Sequence, residues 1–246
     1  MKNSDFYNSL SENYDDMIGF ENALQKRKNL LSKFIDGNYR NAIDIGCGTG
    51  LDSISLALNG LKVTGFDTSE FMISRARKNA KERNLKIRFI YAPFNKINIS
   101  KSKKADLIVS LGNAFANIKE NELKAIIKLA YDVLNYGGRF LFQVLNYDLI
   151  RKENKRIVNI TSNNENTFIR FYDIEKNLLR FNILIINSIN TSNHTLISTE
   201  LYEYNKIWFS TALKKSGFKY IKFMGDFAGT PFEKNKSKDL IILALK

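Results

Sequence analysis

Short apolar runs and amphipathic stretches alternate along this chain, and the period switches between two and nearly four at regular intervals. The runs at 42–45, 62–66, 87–91 and 106–110 (AIDI, KVTGF, IRFIY, DLIVS) are too short and too continuous for amphipathic helices, and they read as strands of a sheet covered on both faces. Between them, residues 51–58 and a segment opening at Ser69 repeat apolar positions at helical spacing, with Thr68 or Ser69 placed to cap the second helix. Residues 120–134 predict another helix, Tyr136-Gly137-Gly138 a turn, and 139–145 a fifth strand. Helices at 6–14 and 20–35 precede the first strand, with Asp36-Gly37-Asn38 as the stop. Strands and helices in this order imply a parallel sheet that carries ligands at the carboxyl ends of its strands.

After Asn146 the period changes. Residues 156–204 hold strand-like stretches (TFIRFYDIE, LLRFNILIINSI, TLISTELYEY) separated by turns rich in Asn and Ser, the pattern of antiparallel hairpins. A helix at 207–216 and strands at 218–224 and 239–245 follow. The expected fold is α/β, a Rossmann-like and mostly parallel sheet of about seven strands with helices on both faces, plus an inserted antiparallel β segment. With 246 residues the chain can bury a full core as one domain. Its expected parts are a helical cap at 1–40, a core at 41–146, the insertion at 147–204 and completion of the core at 205–246.

Composition narrows the picture. No apolar run approaches the roughly 20 residues of a membrane helix, and the polar start MKNSDFYNSLSEN is unlike a secretory signal, so a cytoplasmic protein with no membrane partner is expected. Cys47 is the single cysteine, which excludes an internal disulfide and a cysteine metal cluster; no metal is expected. The net charge of +13 is concentrated at 74–104, where eleven Lys or Arg stand against Glu82, with smaller clusters at 151–156 and 206–222. Such a surface can dock nucleic acid. The chain is also rich throughout in Lys, Asn and Ile, and lysine then fills solvated helix faces without any partner.

The candidate chemistry starts at AIDIGCGTG, residues 42–50. Gly46, Gly48 and Gly50 permit backbone angles closed to other residues and let a ligand lie directly on the main chain. A dinucleotide loop reads G-x-G-x-x-G, whereas this one reads G-x-G-x-G around Cys47 and follows Asp44, a carboxylate that would repel a diphosphate but could orient a cationic, amino-acid-bearing cofactor. Taken alone, the loop also fits an ordinary strand-to-helix turn. Asp67 ends the second strand 17 residues after Gly50, where it can accept hydrogen bonds from both hydroxyls of a ribose or cap the next helix.

Together these segments resemble the cofactor-binding half of the class I S-adenosylmethionine (SAM) methyltransferases. The resemblance implies SAM as cofactor, held by Asp44, Gly46, Cys47, Gly48, Gly50, Asp67 and Thr68, with Met72 one helical turn on and adenine contacts at Ala92 and Pro93. The acidic residue often found at that last place is absent. Leu111-Gly112-Asn113 resembles the LGN segment of the glycine and sarcosine N-methyltransferase branch, which implies that these three residues also contact the cofactor, and QVLNYD (143–148) and GDFAGTPF (225–232) resemble two further segments of it. Neither the Asn-Pro-Pro-aromatic motif of base and glutamine methylation nor a Pro-Cys nucleophile stands on the fourth strand. Tyr14 matches an aromatic that family members fold over the cofactor, where a ring gains cation-π attraction to a sulfonium.

The implied reaction is methyl transfer to an amine or other nucleophile of a small molecule, by in-line positioning. No catalytic base is identified, and His194, the single histidine, reads as a surface turn residue. Asn113, Asn146 and Tyr147 are candidates to orient the acceptor, and Arg170 to bind an acidic group on it. Phe168, Arg170 and Tyr172 share one face of their strand and Ile169 and Phe171 the other, so the hairpins are expected to cover the acceptor pocket or to form a subunit interface in a monomer or homodimer. Two other classes stay open: an RNA or protein methyltransferase docking through 74–104, and a SAM-binding accessory protein without turnover.

Overall fold

The computed structural model describes residues 3–10, 13–97 and 104–246. Three helices, α1 (Asn3–Leu10), α2 (Tyr14–Ile18) and α3 (Phe20–Ser32), lead into β1 (Asn41–Ile45), α4 (Leu51–Leu58), β2 (Lys62–Asp67), α5 (Glu70–Glu82), β3 (Arg88–Tyr91) and β4 (Ala105–Ser110). A 3-10 turn (Ala114–Asn117), α6 (Glu120–Val133), β5 (Leu134–Leu145) and α7 (Tyr147–Glu153) follow. The insertion is β6 (Ile157–Ser162), β7 (Asn166–Glu175), β8 (Leu178–Asn187) and β9 (His194–Leu201), and α8 (Lys206–Ser216), β10 (Tyr220–Met224) and β11 (Asp239–Leu245) complete the main sheet.

Among the described residues the main sheet has seven strands in the order β10-β11-β5-β4-β1-β2-β3, and every pairing from β5 to β3 is parallel. Only β11 runs against its neighbours. Chain order reverses at β1, which pairs with β2 on one side and β4 on the other, and the divergent loops leave a crevice beyond the carboxyl ends of those strands. Alternate residues of the strands feed opposite faces. Ile43, Ile45, Phe140 and Phe142 pack with α6 and α8, whereas Ala42, Val109 and Leu141 pack with Leu31 and Leu56 of α3 and α4.

The second sheet is a meander, β6-β7-β8-β9, antiparallel throughout. Its inner residues Phe168, Ile183 and Ile197 pack with Phe6, Leu10 and Met72, so α1 is held between the insertion and α5. Tyr172 and Leu179 pack with Ala116 and Tyr147. No helix among the described residues is long and apolar enough to cross a membrane.

The sequence expectations differ from this structure at several ends. The helix expected at 6–14 stops at Leu10, residues 11–12 lie outside the described residues, and α2 is a separate turn closed by Gly19 at φ +61°. The turn expected at 136–138 is absorbed into β5 as an irregularity, with Gly137 at φ +77° while Lys246 closes hydrogen bonds to Gly137 and Gly138. A helix, α7, occupies the start of the insertion, capped by the Asn146 side chain. His194 opens β9 opposite Ile186 rather than lying in the turn.

Candidate functional site

At the crevice lies a cavity of about 420 Å³, within the roughly 300–1,000 Å³ usual for small-molecule sites. Its floor is the loop after β1. Gly46 and Cys47 donate their amides to the Phe66 carbonyl at 2.8 and 3.0 Å, which ties the loop to β2. The three glycines then part company. A Cβ on Gly46 would stand 2.7 Å from the Ala114 Cβ, and one on Gly50 would stand 3.2 Å from both Ala76 and Phe89, whereas Gly48 at φ +52° has open space before it. Gly46 and Gly48 line the cavity; Gly50 faces the packing of α5 against β3.

Asp67 stands in the wall with Thr68 and Met72. Its Oδ2 accepts the Gly48 amide at 2.8 Å and its Oδ1 the Ser69 amide at 2.9 Å, while Ser69 itself caps α5 through the Met72 amide. The capping duty thus falls to Ser69, and Asp67 keeps lone pairs for a ligand. Burial raises the Asp67 pKa, against the lowering effect of the amides of Ser69, Gly48 and Thr68.

Asp44 lies beneath the loop, fully buried, and accepts the Ser53 hydroxyl at 2.7 Å, while its Oδ1 has no hydrogen-bond partner. Burial, and then the nearby charge of Asp52, push its pKa well above the usual carboxylate range. It supports the loop and does not line the cavity. Asp52 does, paired with Arg27 at 2.7 Å. Neither residue was singled out from sequence, because the contact joins α3 to α4 and no local pattern announces it.

The roof comes from the cap and the insertion. Tyr7, Tyr14 and Ile18 of α1 and α2 line the cavity. Tyr7 accepts the Asn117 amide at 3.0 Å, and burial pushes the Tyr14 phenol up to about 12, so that ring stays neutral. The cap is fastened by Arg75, which donates to buried Asp15 at 2.5 Å, and by Ser69, which donates to Asn8 at 2.6 Å. Arg170 of β7 reaches the same cavity. Its Nε donates to Asn159, and no carboxylate among the described residues pairs with it; burial lowers its pKa.

Of the remaining sequence candidates, Leu111 and Gly112 line the cavity, whereas Asn113, Asn146, Tyr147, Ala92 and Pro93 do not. Leu111, Gly112 and Ala114 form its wall, and Asn113 stands behind them at φ +65°. Its Oδ1 accepts from the Leu145 amide at 3.0 Å and the Tyr147 hydroxyl at 2.9 Å, and its amide donates to Gln143 at 2.9 Å. Asn146 spends its Nδ2 on the Lys234 and Ser237 carbonyls at 2.8 and 2.7 Å while capping α7. Tyr147 is buried, with its hydroxyl on Asn113. At the end of β3, Phe94 lines the cavity in place of Ala92 and Pro93.

The basic segment is partly consumed by the fold. Arg75 pairs with Asp15, Arg83 with Glu21, Arg77 donates to the Phe89 carbonyl and Lys104 to the Asp132 carbonyl. Lys101 and Lys103 lie outside the described residues.

Comparison with known proteins agrees with this geometry. A methyltransferase-domain family model matches residues 42–138. A glycine/sarcosine N-methyltransferase of Parasynechococcus marenigrum is 32% identical over 110 residues, 44% of this chain and 39% of that protein. The chain thus spans about two fifths of that relative's length. A carboxy-S-adenosyl-L-methionine synthase of Nautilia profundicola is 26% identical over 228 residues, 90% of this chain and 89% of that one. A SAM-dependent methyltransferase structure from Clostridium acetobutylicum superposes with a TM-score of 0.78 at 20% identity, covering 97% of this chain and 98% of the other. The cradle at Gly48, the acid at Asp67 and the cavity volume fit the cofactor of that family. Residues 42–138 thus carry a methyltransferase domain, and the chain as a whole has the fold of an S-adenosylmethionine-dependent methyltransferase structure and is similar in sequence to enzymes of that kind.

Proposed function

We propose that the chain transfers a methyl group from S-adenosylmethionine to the amine of a small molecule that carries an acidic group. The observation that carries the acidic group is Arg170, a half-buried cation in the same cavity as Gly48 and Asp67, held by a neutral Asn159 and lacking a carboxylate partner among the described residues. A cation in that state gains most from an anionic ligand. The amine follows from the resemblance to glycine and sarcosine N-methyltransferases, at the level of a relative matched over part of its length.

When bound, the cofactor supplies a sulfonium methyl that an amine lone pair displaces in line, with a neutral thioether leaving. The residues of the chain act by placement. Gly48 leaves room for the ligand against the main chain, Asp67 accepts the ribose hydroxyls, and Arg27 beside Asp52 faces the amino-acid end. The neutral ring of Tyr14 takes the sulfonium side. Arg170 orients the acceptor, which needs only to arrive unprotonated. The fold's use of Arg75, Arg77, Arg83 and Lys104 for internal contacts supports a small acceptor over a docked polymer.

Calorimetry with SAM, S-adenosylhomocysteine and NAD tests the cofactor part, and a panel of amino-acid and neutral amines tests the acceptor. Arg170→Met is expected to raise KM for acidic amines about tenfold to a hundredfold, the scale of a lost charged hydrogen bond, with SAM affinity nearly unchanged. Equal turnover of neutral amines by both proteins, with acidic amines inert, would contradict the reading.

A further inference from the structure

The outer face of the inserted sheet carries an apolar row whose ends stand exposed among the described residues. Directly paired residues of neighbouring strands share a face, so Ile160 opposite Ile169, Ile169 opposite Leu184 and Leu184 opposite Leu196 form one line across all four strands. Ile160 is 60% and Leu196 54% exposed at its two ends. Ile157 and Phe171 extend the apolar area on one side over β6 and β7, and Asn182 and Ser198 continue that line as a hydrogen-bonded polar pair on β8 and β9. Beyond them comes a charged margin in which Arg156 pairs with Asp173 and Arg180 with Glu200, and on the other side Ser162, Thr167 and His194 stand in one line with Ile186. An apolar centre with polar margins is the anatomy of a contact surface.

We infer that this face is the contact between two copies of the chain. Charge selects the occupant. Residues 156–201 hold four acidic and four basic side chains in a chain whose net charge is +13, so two such molecules meet at this sheet with little repulsion. Its marginal charges are already paired with each other, which leaves nothing to steer an acidic or basic partner. The dimensions agree. Four strands about 4.8 Å apart and six to ten residues long, at about 3.4 Å each, give a projection of roughly 500 Å². Side chains standing above the plane bring the accessible area toward the ~800 Å² per partner of a stable interface. A two-fold axis through the apolar row places the same residues against themselves in an aligned sheet-on-sheet packing.

The contact also bears on the cavity. β6 is an edge strand whose outer residues Ile157 and Ile160 would lie under the second copy, and its inner residue Asn159 accepts from Arg170. An unpaired apolar edge strand is the part of a sheet most in need of cover, so association would order the strand that holds Arg170.

Light scattering on the full chain, coupled to size exclusion at tens of micromolar, tests the inference. The unmodified protein is expected at twice the mass of one chain. The double variant Ile160→Glu with Leu196→Glu is expected at the mass of one, since four charges would otherwise be buried. Both positions are exposed, so the core of the single chain is untouched. Ile189→Glu, at a turn residue 89% exposed and off the face, is expected to remain a dimer. Hydrogen exchange of the unmodified chain supplies a reading that needs no variant, with protection of the β6 amides rising with protein concentration. A monomeric unmodified protein, a dimer that survives the double substitution, or β6 exchange independent of concentration would each overturn the inference.

Discussion

The Asp67 carboxylate accepts the Gly48 amide at 2.8 Å, so the acid that ends β2 and the glycine that bares the cavity floor are one hydrogen-bonded unit. The bond holds the carboxylate at the cavity wall while fixing the loop after β1. Replacing Asp67 by Ala removes the acceptor proposed for the ribose and frees the loop. SAM affinity measured by calorimetry is expected to fall by about 1–3 kcal/mol. An unchanged affinity would reduce Asp67 to a brace for Gly48 and Ser69.

The glycines of the loop are expected to separate into two classes. Gly50→Ala places a Cβ 3.2 Å from Ala76 and Phe89 at φ +92°, which strains both backbone and packing, at a cost of about 1–3 kcal/mol. Gly48→Ala meets no neighbour within 4 Å and projects into the cavity. Urea unfolding should therefore show the larger stability loss for Gly50→Ala, and calorimetry the larger loss of SAM affinity for Gly48→Ala relative to its stability loss.

How much of this was legible beforehand follows from the range of each interaction. The strand order of the core, the G-x-G-x-G loop and Asp67 are announced by residues within one βαβα stretch, where period and spacing carry the signal. Arg27 and Asp52 meet across 25 positions of sequence, and Tyr7 meets Asn117 across 110; nothing local marks such pairs. The Asn residues at strand ends were legible as important but not as to role. Asn113 and Asn146 turn their side chains to backbone groups and to Tyr147, as amides at chain reversals commonly do. The helix α7 has seven residues, too few for a periodic signal.

Asn146→Ala is accordingly expected to act on stability. It takes donors from the Lys234 and Ser237 carbonyls and removes the cap of α7, an expected loss of about 2–3 kcal/mol. The urea midpoint should drop, while KM for both substrates at a temperature where the variant is folded should stay within about twofold of the parent. A stable variant with a large rise in acceptor KM would instead place Asn146 at the acceptor.

The pH dependence of the ligand-free protein gives a fourth test. The folded-state pKa of Asp44 lies above its unfolded value through burial, so the folded state holds the proton more tightly. Its stabilising contribution is complete below the unfolded pKa of about 3.9 and is lost as pH rises through the folded value. Asp44→Asn keeps an oxygen for Ser53 and removes the titration. Its urea midpoint should decline less than that of the parent between pH 4 and neutrality, with a residual decline from Asp52 and Asp67, which burial also raises. Equal declines in the two proteins would show that Asp44 does not bear this load.

The central claim, methyl transfer to a small molecule, is tested most directly by following the label. The protein is incubated with methyl-labelled SAM and a cell extract separated into metabolites, RNA and protein, alongside a variant with Glu at the exposed Lys78, Lys81 and Lys86. The expected result is label in the metabolite fraction, on an amine with an acidic group, at equal rates for the two proteins. Label confined to RNA or protein, and lost in the charge-reversed variant, would contradict it.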